Sequence, residues 1–267
     1  DLYQQRFDLA TPEEDELKFE LMTRSARRLE QDLIDRPRAI ESLVQAIALR
    51  PDSAETRAEL NRLYRAEEMW PDLLDNLRLE ASTQQNPERR IQLRTEVGRI
   101  LASKLESFEE AIEAYRLVLE ERSDDEESLD AVRALGQEHE HLRGLAAEVL
   151  VPVLRQSGLH ERLIDVLEMR LTIEVEPSTR AETLRAIAQV EESALGNARH
   201  ALKTLLRALA ETPEALDLHV EIERLAAQTG DWEAYVAALE ERGGETYDAE
   251  IARDLLVRAG RLAEQAL

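Results

Sequence analysis

Cysteine is absent from this chain of 267 residues, which excludes a disulfide framework, a thiolate metal site and a cysteine nucleophile together. The absence leaves the compartment open, cytoplasmic or periplasmic, because a cysteine-free chain suits reducing and oxidising surroundings alike. Lysine is almost absent. Lys18, Lys104 and Lys203 stand among 34 basic residues, so arginine carries the positive charge, a bias we read as GC-rich, bacterial coding at least as readily as function. Aromatic residues make up 4%, with nine glycines and eight prolines. What remains is dominated by Ala, Leu, Glu and Arg, the composition of helices. No uninterrupted apolar run approaches the roughly 18 residues of a membrane span; the nearest, Ala146 to Leu154, contains Glu148 and Pro152. This predicts a soluble chain with no direct membrane insertion. A formal charge of −23 repels phosphate backbones and anionic membrane surfaces, so nucleic acid is not an expected partner. The chain opens at Asp1 with neither an initiator Met nor a signal peptide, which predicts a processed or excised piece.

What is present is a repeat written in small residues. Ala26, Gly98, Ala188 and Gly260 recur at spacings of 72, 90 and 72, and Ala39, Ala111 and Ala201 follow each of the first three by 13. Fixed-period self-similarity means that each unit buries its apolar face against the next copy, so the chain escapes the size limit of a single core. Apolar residues keep helical spacing, as in Leu93, Val97, Ile100, Leu101 and Leu105, and no segment alternates as a strand would. Pro51 and Pro87, and again Pro177 and Pro213, lie 36 apart, with Ser123 filling the step after Pro87. Proline fits the first turn of a helix, where its missing N–H is not needed, so each step reads as two helices and two turns. The register predicts helices over 88–105, 109–122 and 125–138, and equivalent first helices near 13–33, 178–195 and 249–267.

The second half of the hairpin reads Ala39, Leu43, Ala46, Pro51 in one copy and Ala201, Leu205, Ala208, Pro213 in another, with Ala111, Tyr115, Val118 and Ser123 between them. This resembles the tetratricopeptide repeat (TPR), whose second helix carries A-x3-[FYL]-x2-A-x4-P. Alanine lets two antiparallel helices approach closely, the large residue fills the space beside it, and proline ends the hairpin. The units depart from that family in being about 36 residues long, in a weaker motif in alternate hairpins (Leu60, Tyr64, Trp70, Leu73, Leu77) and in Ala where the first helix usually has Gly. The resemblance implies an all-α, right-handed solenoid of antiparallel hairpins, here about 13–14 helices, that binds proteins or peptides on a concave face without catalysis.

The step of 90 exceeds 72 by 18 residues, one helix. We therefore expect one continuous array over 1–267, a fragment of a longer one, with sub-blocks 1–141 and 159–267 separated by an extra helix at 142–158. An odd helix should swap inner and outer layers after residue 159 unless it lies outside the stack, and Pro152 should kink or split it.

Few residues suggest chemistry. In Glu138-His139-Glu140-His141 the two histidines sit at i and i+2, pointing about 200° apart on a helix, whereas helical zinc pairs sit at i and i+4. We read a solvated helix end and expect no metal and no cofactor. Asp124-Asp125-Glu126-Glu127 lacks a D-D-x-x-D spacing and complements a helix dipole. No phosphate loop and no nucleophile elbow is visible, and we assign no catalytic residue. Trp70 and Trp232, with His160 between them, occupy one slot and read as packing between hairpins. The candidate partner-binding residues are Arg27, Arg99, Gln189 and Arg261, each one position after the recurrent small residue. On a concave face they would form a ladder able to grip carboxylates in fork geometry. Ion pairing to neighbouring Glu and Asp is the plainer alternative. The expected function is a scaffold for a protein or peptide partner; the alternative is a regulatory or oligomerisation arm of a larger enzyme or signalling protein, in which self-association follows.

Overall fold

A computed structural model describes residues 2–10 and 14–266, and among these every regular element is helical. Fifteen α-helices follow one another: α1 (Leu2–Leu9), α2 (Asp15–Gln31), α3 (Arg36–Leu49), α4 (Ala54–Ala66), α5 (Trp70–Thr83), α6 (Pro87–Lys104), α7 (Phe108–Glu121), α8 (Glu126–Glu138), α9 (Arg143–Ser157), α10 (His160–Leu171), α11 (Pro177–Ser193), α12 (Ala198–Glu211), α13 (Leu216–Thr229), α14 (Trp232–Glu245) and α15 (Ala249–Ala266). The count exceeds the expected 13–14. Within residues 1–121 and again within 122–267 each helix packs against its sequence neighbours, so the fold is all-α and built of antiparallel hairpins in the expected TPR-like register.

Local chemistry explains the boundaries. Pro87 and Pro177 sit in the first turns of α6 and α11. Asp35, Ser53, Asn86, Asp125 and Asn197 cap helix starts by accepting backbone N–H groups. Left-handed backbone recurs in register. Ile34, Glu106 and Gly196 (φ 55°, 51° and 66°) close the turns before α3, α7 and α12. Glu68, Gly158 and Gly230 (φ 55°, 70° and 74°) do so before α5, α10 and α14. The turn geometry has been kept where the glycine that suits it has not.

The close approach within a hairpin is also visible. A Cβ on Gly98 would lie 2.7 Å from Tyr115 Cζ, so this glycine faces the one tyrosine in the partner slot. The other copies set Ala26 against Leu43 and Ala188 against Leu205 in the same register, the smaller residue moving with the larger.

The chain forms two compact units, residues 1–121 and 122–267. In the first, α2, α4 and α6, all first helices of their hairpins, follow one another in one layer, tied by Arg62–Glu30 at 2.7 Å and Arg65–Glu96 at 2.5 Å. In the second, α10 carries Arg162 to Glu126 of α8 at 2.5 Å and Glu168 to Arg207 of α12 at 2.6 Å, and α12 contacts α14. The other layer is joined by Arg224–Glu192 between α13 and α11 and by Arg258–Glu223 between α15 and α13. Thus α8, which opens a hairpin when counted from upstream, shares a layer with α12 and α14, which close theirs. Within the second unit the odd helix lies inside the stack, and α8 and its register counterpart α13 fall in different layers. The entry turn makes α10 the counterpart of α5 and α14, which leaves α9 as the supernumerary helix. It runs unbroken through Pro152, which gives no N–H to the carbonyl of Glu148.

Candidate protein-binding groove

An open groove lies in the second unit, between α11 and α13. On α11, Glu182, Arg185, Gln189 and Glu192 recur at helical spacing and so share one face; on α13, Asp217, Glu221, Arg224 and Gln228 do the same. These faces, Asp217 excepted, wall a cavity of about 850 Å³ whose apolar floor is Ala188, Leu205 and Leu225. Leu205 and Leu225 are buried members of one core cluster with Ala188, so the floor is a fixed part of the stack.

The walls are held by charge. Arg185 Nη1 donates to Asp217 Oδ2 at 2.7 Å and its Nη2 to Glu221. Arg224 forks onto Glu192, Nη1 to Oε1 at 2.5 Å and Nη2 to Oε2 at 2.6 Å. These hydrogen bonds raise both guanidinium pKa values and hold the Glu192 and Asp217 carboxyls below their usual range. The Arg224–Glu192 pair repeats Arg62–Glu30, 162 residues earlier in both partners, and the corresponding positions of the middle copy are both alanine, Ala102 and Ala134. Both members come and go together.

A second cavity of about 460 Å³ lies between α13 and α15, bordered by Glu223, Arg258 and Arg261, with His219 buried at its edge. The Nε2 of His219 lies 2.9 Å from the Pro213 carbonyl and Nδ1 lies 2.7 Å from the Tyr235 hydroxyl. A carbonyl only accepts, so Nε2 carries the proton and Nδ1 accepts from Tyr235. Burial lowers the His219 pKa and pushes the Tyr235 hydroxyl up to about 12. In the first unit a smaller cavity of about 330 Å³ has Ala81, Val97, Ala114 and Leu117 below a rim that includes Arg78, whose guanidinium lies 2.7 Å from Glu110.

All four candidate partner-binding residues are exposed. Gln189 borders the α11–α13 groove beside Arg185, Glu192 and Arg224, and Arg261 borders the α13–α15 cavity. Arg27 on α2 and Arg99 on α6 border none of these three cavities. The sequence reading missed Arg185, Glu192, Glu221 and Arg224. The Glu30/Arg62 and Glu192/Arg224 coincidence at 162 residues could have found two of them; Arg185 has Thr23, Thr95 and Val257 in its slot and left no signal.

The remaining clusters take structural places. Trp232 packs against the core of the second unit, and Lys104 Nζ lies 5.2 Å over the Trp70 ring. Asp125 caps α8 by accepting from Ser128 N at 3.0 Å. The His139 and His141 rings lie 5.9 Å apart across the start of the 3-10 turn Glu140–Leu142, and among the described residues no group of three or more His, Asp or Glu is placed to hold a metal ion. Among the same residues no helix is long and apolar enough to cross a membrane.

No family model matches the chain, and no curated protein matches it. Among solved structures it is similar to a tetratricopeptide repeat protein from Parabacteroides merdae, at 14% identity and TM-score 0.32, covering 91% of this chain and 98% of that one. It is similar also to the TPR2AB domain of yeast Sti1 in its complex with pHSP90, at 12% identity and TM-score 0.34, covering 92% and 98%. A third is a thermophilic TPR protein of Thermus thermophilus, at 20% identity and TM-score 0.28, covering 78% and 99%. At such values the description of the fold rests on the chain's own helices.

Proposed function

We propose that this chain is a non-catalytic interaction scaffold that holds a protein or peptide partner against the exposed faces of its stacked helices. The observation that carries the reading is the α11–α13 groove, open, fixed in its floor and walled by polar side chains on two successive helices. Stacked hairpins create extended grooves of this kind, and such grooves take a polypeptide better than a small reactant, because they are long and enclose little. Within this reading Arg27, Arg99, Gln189 and Arg261 are the exposed positions from which partner contacts are made. Nucleic acid is disfavoured as partner by the net charge of −23.

Panning a peptide library against the chain tests this. Enriched peptides should lose binding when Gln189 is replaced by Arg or when Arg27, Arg99 and Arg261 are together replaced by Glu. Recovery unchanged by either substitution removes the four residues from the contact surface, and a library with no enrichment removes the scaffold reading. Self-association is a second reading, favoured by α15, where Val257 is half exposed and a Cβ on Gly260 would meet nothing within 4 Å. Sedimentation across a range of concentrations decides it, with Val257→Asp returning any oligomer to monomer.

A further inference from the structure

The groove's chemistry selects a sign of charge. We propose that the α11–α13 groove takes a basic side chain, Arg or Lys, from the partner polypeptide, with Glu182, Glu221 and Glu192 as its counter-ions and Ala188 and Leu205 as the bed for its aliphatic stem. The inference rests on the groove being the partner-binding face.

Three observations lead there. First, the arginines of the walls are already engaged: Arg185 uses one terminal nitrogen on Asp217 and the other on Glu221, and Arg224 spends both on Glu192. An incoming carboxylate would have to share a guanidinium group that already holds charge-assisted bonds, the strong class of hydrogen bond, and would meet the carboxylates that accept them. Second, the acceptors are not used up. An ionised carboxylate offers about four lone-pair directions, and Glu192 and Glu221 have open ones after their arginine bonds, while Glu182 makes no ion pair among the described residues. The groove therefore keeps open acceptors on negatively charged groups, while both of its cations already sit in ion pairs. Third, the walls carry three carboxylates against two guanidinium groups, with Asp217 as a fourth carboxylate behind them, in a chain of net charge −23. Local and long-range fields have the same sign and steer a cation inward. The exposed series agrees: its one uncharged member, Gln189, falls in this groove, where a third arginine would have met the entering cation.

Arg and Lys suit the shape as well as the charge. Their stems lie along apolar surface while the charged head stays at a polar rim, and the floor of Ala188, Leu205 and Leu225 lies below a rim of Glu182, Glu192 and Glu221.

The test uses two fluorescein-labelled peptides of equal length, one alternating Ala and Arg, the other Ala and Glu, titrated by anisotropy at physiological ionic strength. The Ala-Arg peptide should bind at least about tenfold more tightly, equivalent to about 1.4 kcal/mol. Glu182→Gln with Glu221→Gln should weaken it about tenfold. Glu233→Gln with Glu240→Gln, the same change of charge on exposed positions of α14, should leave it unchanged. Circular dichroism confirms that both double variants keep their helices. Equal weakening in the two variants overturns the proposal in favour of diffuse attraction. Preference for the Ala-Glu peptide, lost with Gln189→Glu, overturns the basic partner and leaves the groove standing as a binding face. Failure of both peptides to bind overturns the basic partner, and an empty library screen beside it removes the groove reading too.

Discussion

The stretch α4–α5 of the first unit and the stretch α8–α10 of the second solve the same problem with different numbers of helices. In the first, the carbonyl of Pro51 would be left without a donor at the turn, and the buried Arg57 supplies one at 2.7 Å. Another copy has Pro213 and His219 in the same two slots, at 2.9 Å. In the long copy the slot of Arg57 is Leu129, which has no donor, and the carbonyl of Ser123 is reached instead by Ser157 Oγ, at 3.3 Å, from the supernumerary α9. That helix approaches closely at a glycine. Where α4 has Tyr64, α8 has Gly136, and a Cβ there would lie 2.8 Å from Ala146 Cβ on α9 and 3.0 Å from Met169 Sδ on α10. A side-chain donor to the carbonyl at this turn is what the three copies share; which side chain supplies it is free to change.

Substitutions can break this comparison. The largest effect should come from His219→Ala, which removes the donor to the half-buried Pro213 carbonyl and the acceptor of the buried Tyr235 hydroxyl and empties a core site; urea unfolding should lose about 2–4 kcal/mol. Ser157→Ala, acting on a longer bond nearer solvent, should lose less than about 1 kcal/mol, and an equal loss would mean that the two carbonyls are not equivalent. Gly136→Ala should destabilise by about 1–3 kcal/mol through overpacking, because the atom it meets on α9 is itself a Cβ fixed to backbone; adding Ala146→Gly should restore most of it. A smaller effect of opposite sign is expected at the left-handed turns. Ile34→Gly should stabilise by up to about 1 kcal/mol, since a β-branched residue holds φ 55° there, while Gly196→Ala should destabilise by a similar amount.

The smallest effect is a pH dependence. Burial holds the His219 pKa below its ordinary value of 6.5, so the unfolded chain takes up a proton that the folded one refuses. Stability is then fully present above pH 6.5 and is lost as pH falls from there toward the lowered folded value. His219→Gln should flatten stability between pH 7.5 and 5.5, and an unchanged slope would assign the dependence to other groups.

Much of the hairpin order was legible because close packing leaves its mark in residue size. The spacing of Ala26, Gly98 and Ala188 follows from two helices meeting at one small residue, and Pro87 and Pro177 mark first turns for a reason any sequence shows. The 18-residue excess was read as one helix, and a helix, α9, occupies 143–157. The count of helices came out low. The groove was much less visible. Its walls are exposed polar residues, which no burial constraint ties to a period, and Arg185 meets its partners 32 and 36 residues away through a spacing that only the packed stack defines. Of the four positions chosen on register, Gln189 lies in that groove, and register alone could not distinguish it from Arg27, because the slot was recognised by its small neighbour rather than by what faces it.

A stack of two alternating layers has a parity as well as a length. Two added helices lengthen it and leave every later face where it was; one added helix, as α9 within the second unit, puts the helices that follow in the opposite layer from the one their register implies. Because α11 and α13 sit on the turned side of the second unit, the groove between them looks out from the layer that α8 does not occupy. A duplication of hairpins can only extend such a surface, whereas a single inserted helix redirects it without altering one residue of the groove.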